Sequence, residues 1–173
     1  ADATELVKMM YALMDYDKPV YLRLSGKTNI PVIYKEDYTF EIGKAICLAK
    51  GEDIAIIATG VILGTAKKIA QELEKNGISV TLIDMHTIKP LDTRQLESQM
   101  GKKIIVTVEE HSIIGGLGGA VSEYYAQFER HPKVVRIGVE DQFLHPAGKE
   151  LLLETAGLTP QKIYKRIRKE LNR

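Results

Sequence analysis

The sequence predicts a three-layer α/β fold, and three observations carry that prediction. Apolar runs of strand length alternate with stretches whose apolar residues recur at helical spacing. The run Lys103–Val108 is nearly all apolar, as a strand buried on both faces must be. The helical stretches lie between strands, so the connections are right-handed crossovers and the sheet is mostly parallel, with helices on both sides. At 173 residues, 45% of them hydrophobic, the chain can close one such core without a metal or disulfide staple.

Each element has its own local reason. Leu6, Met9, Met10 and Leu13 fall at i, i+3, i+4 and i+7, predicting a first helix with Thr4 as its amide cap. Pro19–Leu24 reads as a strand closed by Ser25-Gly26. From Lys27 to Tyr38 no period is sustained, which predicts a linker and a domain boundary. The helix–strand pair before it is too small to fold alone. Two apolar runs, Ala45–Leu48 and Ile54–Ala58, are separated by Lys50-Gly51-Glu52. So short a connection predicts antiparallel strands, with adjacent pairing as the default. Ile62, Ala66, Ile69, Ala70 and Leu73 mark a helix that Asn76-Gly77 ends through a left-handed cap. A strand over Ile78–Ile83 follows, then a short helix from an Asp92 cap through Met100. After Lys103–Val108, the residues Leu117, Ala120, Val121, Tyr124, Tyr125 and Phe128 form the widest helical stripe. Val134–Val139 is the last strand. Helices are expected over Gly148–Ala156 and Pro160–Leu171, the second with Thr159 as cap and Pro160 in its first position.

Composition narrows the classes of function. Lysine and arginine number 24 against 23 acidic residues, a net charge of +1, unlike a surface built to grip nucleic acid. Cations do gather in the carboxyl tail, where Lys162, Lys165, Arg166, Arg168, Lys169 and Arg173 face Glu170. The stripe Ile163, Ile167, Leu171 carries no interleaved aromatics, however, and cations near a helix carboxyl end complement its dipole. No nucleic-acid partner is expected. No apolar run approaches ~20 residues, so no membrane partner is expected either, and a cytoplasmic location is. Cys47, the one cysteine, sits mid-strand as a small hydrophobe. Ala1–Glu5 has no signal-peptide character, and the missing initiator methionine suggests a fragment or a processed chain.

The candidate functional residues gather just beyond Val108. There Glu109, Glu110 and His111 precede Gly115-Gly116-Leu117-Gly118-Gly119, which opens a helix. Open α/β sheets bind ligands at this edge, and free amides at a helix start favour anions. Counting from Gly116, the third glycine of a dinucleotide fingerprint falls on Val121, and no full P-loop motif occurs. Close packing of a helix on a strand also demands glycine, so the stretch is either an anion or effector contact or a packing device. His86, His111, His131 and His145 show no ligand spacing, and no metal site is expected. Ser112 and Ser122 have no recognisable base, no nucleophile elbow exists, and no catalytic residue is assigned. Asp84 and Asp92 read as turn-forming and capping residues.

Taken in order, these segments resemble the carboxyl-terminal part of transketolase-type thiamine diphosphate enzymes. Asp2-Ala3-Thr4-Glu5 with Pro19–Leu24 is similar to the last helix and strand of that family's pyrimidine-binding domain. The remaining landmarks are Ile54–Gly60, Ile83-Asp84-Met85 leading to Lys89-Pro90-Leu91-Asp92, Val108–His111 with Gly115–Gly118, Asp141-Gln142-Phe143, and Gly157-Leu158-Thr159. The resemblance implies residues 1–27 as the end of the pyrimidine-binding domain, 28–39 as a linker and 40–173 as a transketolase C-terminal domain. That domain is implied to be a five-stranded mixed α/β/α sheet with one antiparallel strand, in an order that can place another strand between the two joined at Lys50–Glu52.

The resemblance also implies a division of labour. Thiamine diphosphate and Mg²⁺ belong to the full-length enzyme, held through a Gly-Asp-Gly motif that this sequence lacks. The glutamate that activates the cofactor lies upstream of Asp2, so none is expected to bind to this piece alone. Relatives carry a phosphate-gripping arginine at the position of Ser25-Gly26-Lys27, which makes Lys27 the substrate-phosphate candidate, able to supply charge but not a bidentate fork. The turn Leu144–Gly148 departs from the small glycine- and serine-rich turn of the family. The implied function is the carboxyl-terminal part of an enzyme that transfers a two-carbon ketol unit between sugar phosphates. This piece would be inactive by itself. It would pack against upstream thiamine-binding domains or a subunit, in a homodimer, with Glu109, Glu110, His111, Gly115, Gly116 and Gly118 as interface or effector contacts. Two alternatives stay open: the same domain of 1-deoxyxylulose-5-phosphate synthase or of a 2-oxo acid dehydrogenase beta subunit, and a stand-alone nucleotide- or effector-binding module.

Overall fold

A computed structural model of the chain describes residues 1–26 and 30–172. The expectation placed on Lys27 lies outside the described residues. Five strands form one sheet: β1 (Ile46–Ala49), β2 (Ile54–Thr59), β3 (Val80–Asp84), β4 (Ile104–Ser112) and β5 (Lys133–Val139). Their order is β1-β3-β2-β4-β5. All neighbours pair in parallel except β1, which runs antiparallel to β3.

The two strands joined by the short connection are therefore not adjacent, because β3 lies between them. Residues 50–53 cross directly over the start of β3, and Gly51 makes that crossing possible. A Cβ there would lie 2.3 Å from the Val80 nitrogen. The Thr81 hydroxyl ties the crossing down, accepting from the Gly51 amide at 3.1 Å and donating to the Gly51 carbonyl at 2.8 Å.

Alternation along the strands sorts side chains into two cores. Ile54, Ile56, Ala58, Val106 and Val108 face one side, under α2 (Leu63–Lys75) and α6 (Pro160–Leu171), whose Ile163 and Ile167 are fully buried. Ala55, Ile57, Ile83 and Ile105 face the other, under α3 (Thr93–Glu97) and α4 (Leu117–Tyr125). This gives the three layers. A single 3₁₀ turn, Gly60–Ile62, leads into α2, and Gly77 at φ +76° ends that helix in the left-handed conformation. Asp92 caps α3 through the Gln95 amide at 3.0 Å and also accepts from the Ala45 amide at 2.8 Å. Thr159 stands at the cap position of α6, but its side chain makes no cap bond.

The amino end departs most from expectation. Helix α1 (Ala3–Met14) is capped by Asp2, not Thr4. Asp2 Oδ1 accepts from the Glu5 amide at 2.9 Å, while Oδ2 accepts from the Ile33 and Tyr34 amides at 2.6 and 3.0 Å. That stretch of the expected linker thus packs into the main core: Ile33 and Tyr34 are buried beside α2. Pro19–Leu24 forms no strand. A strand is held by ladder bonds to a neighbour, among the described residues no sheet edge pairs with this segment, and Tyr21 is left 90% exposed.

Candidate functional site at the carboxyl end of the sheet

The strand order reverses direction between β2 and β4, the place where open α/β sheets make a crevice. Thr59 at the end of β2 stands opposite Glu109 on β4. The β4–β5 register shifts between Val108 and Ser112, so the chain kinks as it leaves the core. Glu109 falls on the same face as Ile105 and points toward α4, whereas Glu110 turns toward α5 (Lys149–Thr155) and meets Lys149 Nζ at 2.8 Å. Arg23 reaches across from the amino-terminal segment and donates to the Glu110 carbonyl at 3.2 Å. His111 is exposed, with its ring beside the glycine turn.

Glu109 itself is only 1% exposed. Its two carboxylate oxygens accept from the Leu117 and Gly118 amides, both at 2.7 Å. These are the orphan donors that begin α4, and a carboxylate placed there is favoured by the helix dipole as well. The anion slot of the glycine turn is thus filled from within the chain. Glu109 is not part of an exposed contact surface; it is the cap of α4. The glycines serve that arrangement. A Cβ on Gly116 would sit 2.0 Å from Glu109 Oε2, and one on Gly118 would sit 2.9 Å from Thr107 Oγ1. Gly115 adopts φ +73°. The signal for this was present as a strand-ending acid eight residues before a helix start, but the same glycines also suited a ligand.

Sequence reasoning missed Arg23 and Lys149, whose contacts depend on segments far apart in the chain. It also missed a buried acidic group at the end of β3, where Asp84 accepts from the Tyr34 hydroxyl beside Glu5 of α1. Burial raises the proton affinity of both Tyr34 and Asp84 above the ordinary values, and the proximity of charge adds to each. The cations of α6 lie partly in ion pairs: Lys162 with Glu154 and Arg166 with Glu140, while Lys133 of β5 holds Glu170. Among the described residues no three histidine, cysteine or acidic side chains are grouped to hold a metal ion, and no helix is long and apolar enough to cross a membrane.

Comparison with known proteins agrees with this architecture. Residues 43–163 match the family model "Transketolase, C-terminal domain". The chain belongs to that family. It is 42% identical over 163 residues to a protein of Methanocaldococcus jannaschii provisionally named a transketolase C-terminal section, a match spanning 93% of this chain and 51% of that one. A 1-deoxy-D-xylulose-5-phosphate synthase from Carboxydothermus hydrogenoformans is 39% identical over 171 residues, 97% of this chain and 27% of its own length. A solved structure titled "Split gene transketolase, inactive beta4 tetramer" superposes with a TM-score of 0.88 at 36% identity, covering 99% of this chain and 55% of that one. The chain therefore spans about half the length of the split-type family members it matches. Thiamine diphosphate, the group this family implies, does not fit the glycine turn, because Glu109 already holds the Leu117 and Gly118 amides that a diphosphate would need.

Proposed function

We propose that the chain is the carboxyl-terminal part of a transketolase-type enzyme that, when complete, moves a two-carbon ketol unit between sugar phosphates. The observation that carries the reading is the family match over 43–163, together with relatives that extend to about twice this length. Thiamine diphosphate would supply the carbanion chemistry, with its Mg²⁺ and its diphosphate held by polypeptide outside this chain. Residues 1–27 would end the pyrimidine-binding domain, 28–39 would join it on, and 40–173 would form the C-terminal domain. In support, Val7, Met10, Tyr11 and Met14 of α1 and Val20, Tyr21 and Leu24 beyond it expose large apolar surfaces, as elements cut from their own core would.

The role of this piece would be packing and assembly in a cytoplasmic homodimer. Glu110, His111 and Gly115 at the kinked end of β4 would be its contacts to the upstream domains, and Lys27 its candidate for a substrate phosphate. A second reading, the same part of a 1-deoxyxylulose-5-phosphate synthase, is favoured by the 39% identity to such an enzyme. The test is an assay of the purified chain alone and mixed with the polypeptide carrying the thiamine-binding domains. No turnover alone and ketol transfer between sugar phosphates in the mixture is the expected result. Formation of 1-deoxyxylulose 5-phosphate in the mixture would select the second reading, and transfer by the chain alone would overturn the assembly role.

A further inference from the structure

Helix α2 ends on Asn76-Gly77, an asparagine followed by the one residue type with no side chain to shield its amide nitrogen. Asn29 and Asn172 instead precede Ile30 and Arg173. Asn76 and Gly77 are both exposed, and apart from chain neighbours no atom lies within 4 Å of the place a Gly77 Cβ would take. The Asn76 carboxamide carbon and the Gly77 nitrogen are thus an electrophile and a nucleophile one residue apart, with open space around them.

The fold ties down both reacting groups. The Gly77 amide donates to the Glu74 carbonyl at 3.0 Å, and Asn76 Nδ2 donates to the Glu72 carbonyl at 2.8 Å. Asn76 has ψ 19°, which turns the Gly77 nitrogen away from the Asn76 side chain. The Ile78 amide completes the cap, donating to the Leu73 carbonyl at 3.0 Å. Ring closure therefore waits for the last turn of α2 to open. That turn is lightly anchored: Glu72, Glu74 and Lys75 are exposed, and Leu73 alone among residues 72–75 is buried. The Glu72–Lys75 pair is long, at 3.8 Å, and lies in solvent.

We propose that Asn76 is a self-modification site, deamidating by cyclisation onto the Gly77 nitrogen at a rate set by fraying of the last turn of α2. In the opened turn the Gly77 amide loses its proton to solvent base, and its nitrogen bonds to Asn76 Cγ. The carboxamide nitrogen leaves as ammonia, which closes a succinimide. Water then adds to either ring carbonyl. One opening leaves aspartate on the normal backbone, and the other leaves isoaspartate, whose backbone runs through the side chain.

Either product undoes the cap. Aspartate has no Nδ2 to donate to the Glu72 carbonyl, and it sets a negative charge at the negative end of the helix dipole. Glu72 Oε1, 3.5 Å from Asn76 Nδ2, would face that charge. Isoaspartate lengthens the backbone between Leu73 and Ile78, so the Ile78 amide loses its register with the Leu73 carbonyl. Ile78 leads directly to Ser79, whose amide donates to Asp53 Oδ2 at 2.8 Å and whose carbonyl accepts from the Asp53 amide at 3.0 Å. The damage thus reaches the place where the chain crosses the start of β3.

Peptide mapping by mass spectrometry tests the site, on the unaltered chain held at mildly alkaline pH, folded and in guanidinium chloride. Asn76 should convert in both, about 5- to 30-fold more slowly in the folded chain, because a local opening is far more frequent than global unfolding. Lys75→Gly lowers helix propensity at an exposed position. It should speed conversion of the folded chain by about fivefold and leave the denatured rate unchanged. Equal rates in the two states would overturn the proposal, as would a folded rate indifferent to Lys75→Gly. No conversion of the folded chain over about one hundred half-times of the denatured one would overturn it as well. In the converted chain, hydrogen exchange at the Ile78 amide should rise; unchanged protection there would overturn the loss of the cap.

Discussion

Glu109 shows how one residue can hold a turn, a helix start and a strand end together. Its carboxylate supplies both oxygens to amides that no water reaches, and Gly116 leaves the space in which it sits. Glu109→Ala should cost about 3 kcal/mol, since buried donors lose a charged partner. Gly116→Ala should cost roughly 1–3 kcal/mol by overpacking against the same carboxylate. Urea unfolding checks both, as a lowered midpoint at unchanged slope. The legibility of such residues was uneven. Asp92 is the cap that its place before a helix predicts, because capping is decided within three residues of chain. Asp84 looked equally like a turn former, but its partner Tyr34 lies 50 residues away, and no local pattern records it.

At the scale of elements, α1 is held at its start more than along its length. Asp2 binds the first turn of the helix and the Ile33–Tyr34 backbone at once. Burial pushes its proton affinity up, but the amides of Glu5, Tyr34 and Ile33 outweigh that and leave it below the ordinary carboxylate value. The stabilisation is thus present above the ordinary carboxylate range and is lost as the pH falls through the lowered value, opposite in sense to the raised Asp84 carboxyl. Asp2→Ala should raise exchange at the Ile33 and Tyr34 amides at neutral pH about as far as strong acid does in the unaltered chain, with the β2 amides unchanged. Helix α6 is a different case, docked by an apolar stripe. Ile167→Ala should lower global stability by about 2–5 kcal/mol in urea, because the fully buried side chain leaves a cavity.

The whole molecule divides into a closed three-layer core and an amino-terminal segment with apolar surface to spare. Pairing Met10→Glu with Met14→Glu should reduce self-association in sedimentation while leaving the thermal midpoint nearly unchanged, since both side chains already face solvent. The sequence by itself determined the five core strands, the helices between them and which faces they bury. Those features rest on side-chain period and on local caps, and Ile54–Thr59 or Ile163 and Ile167 declare them without reference to the rest of the chain. Only the tertiary structure decided that β3 inserts between β1 and β2, that Glu109 fills the glycine turn and that Tyr34 meets Asp84. Each of those depends on groups brought together from far along the chain, where free energy comes from excluded water and paired polar atoms rather than from neighbours in sequence.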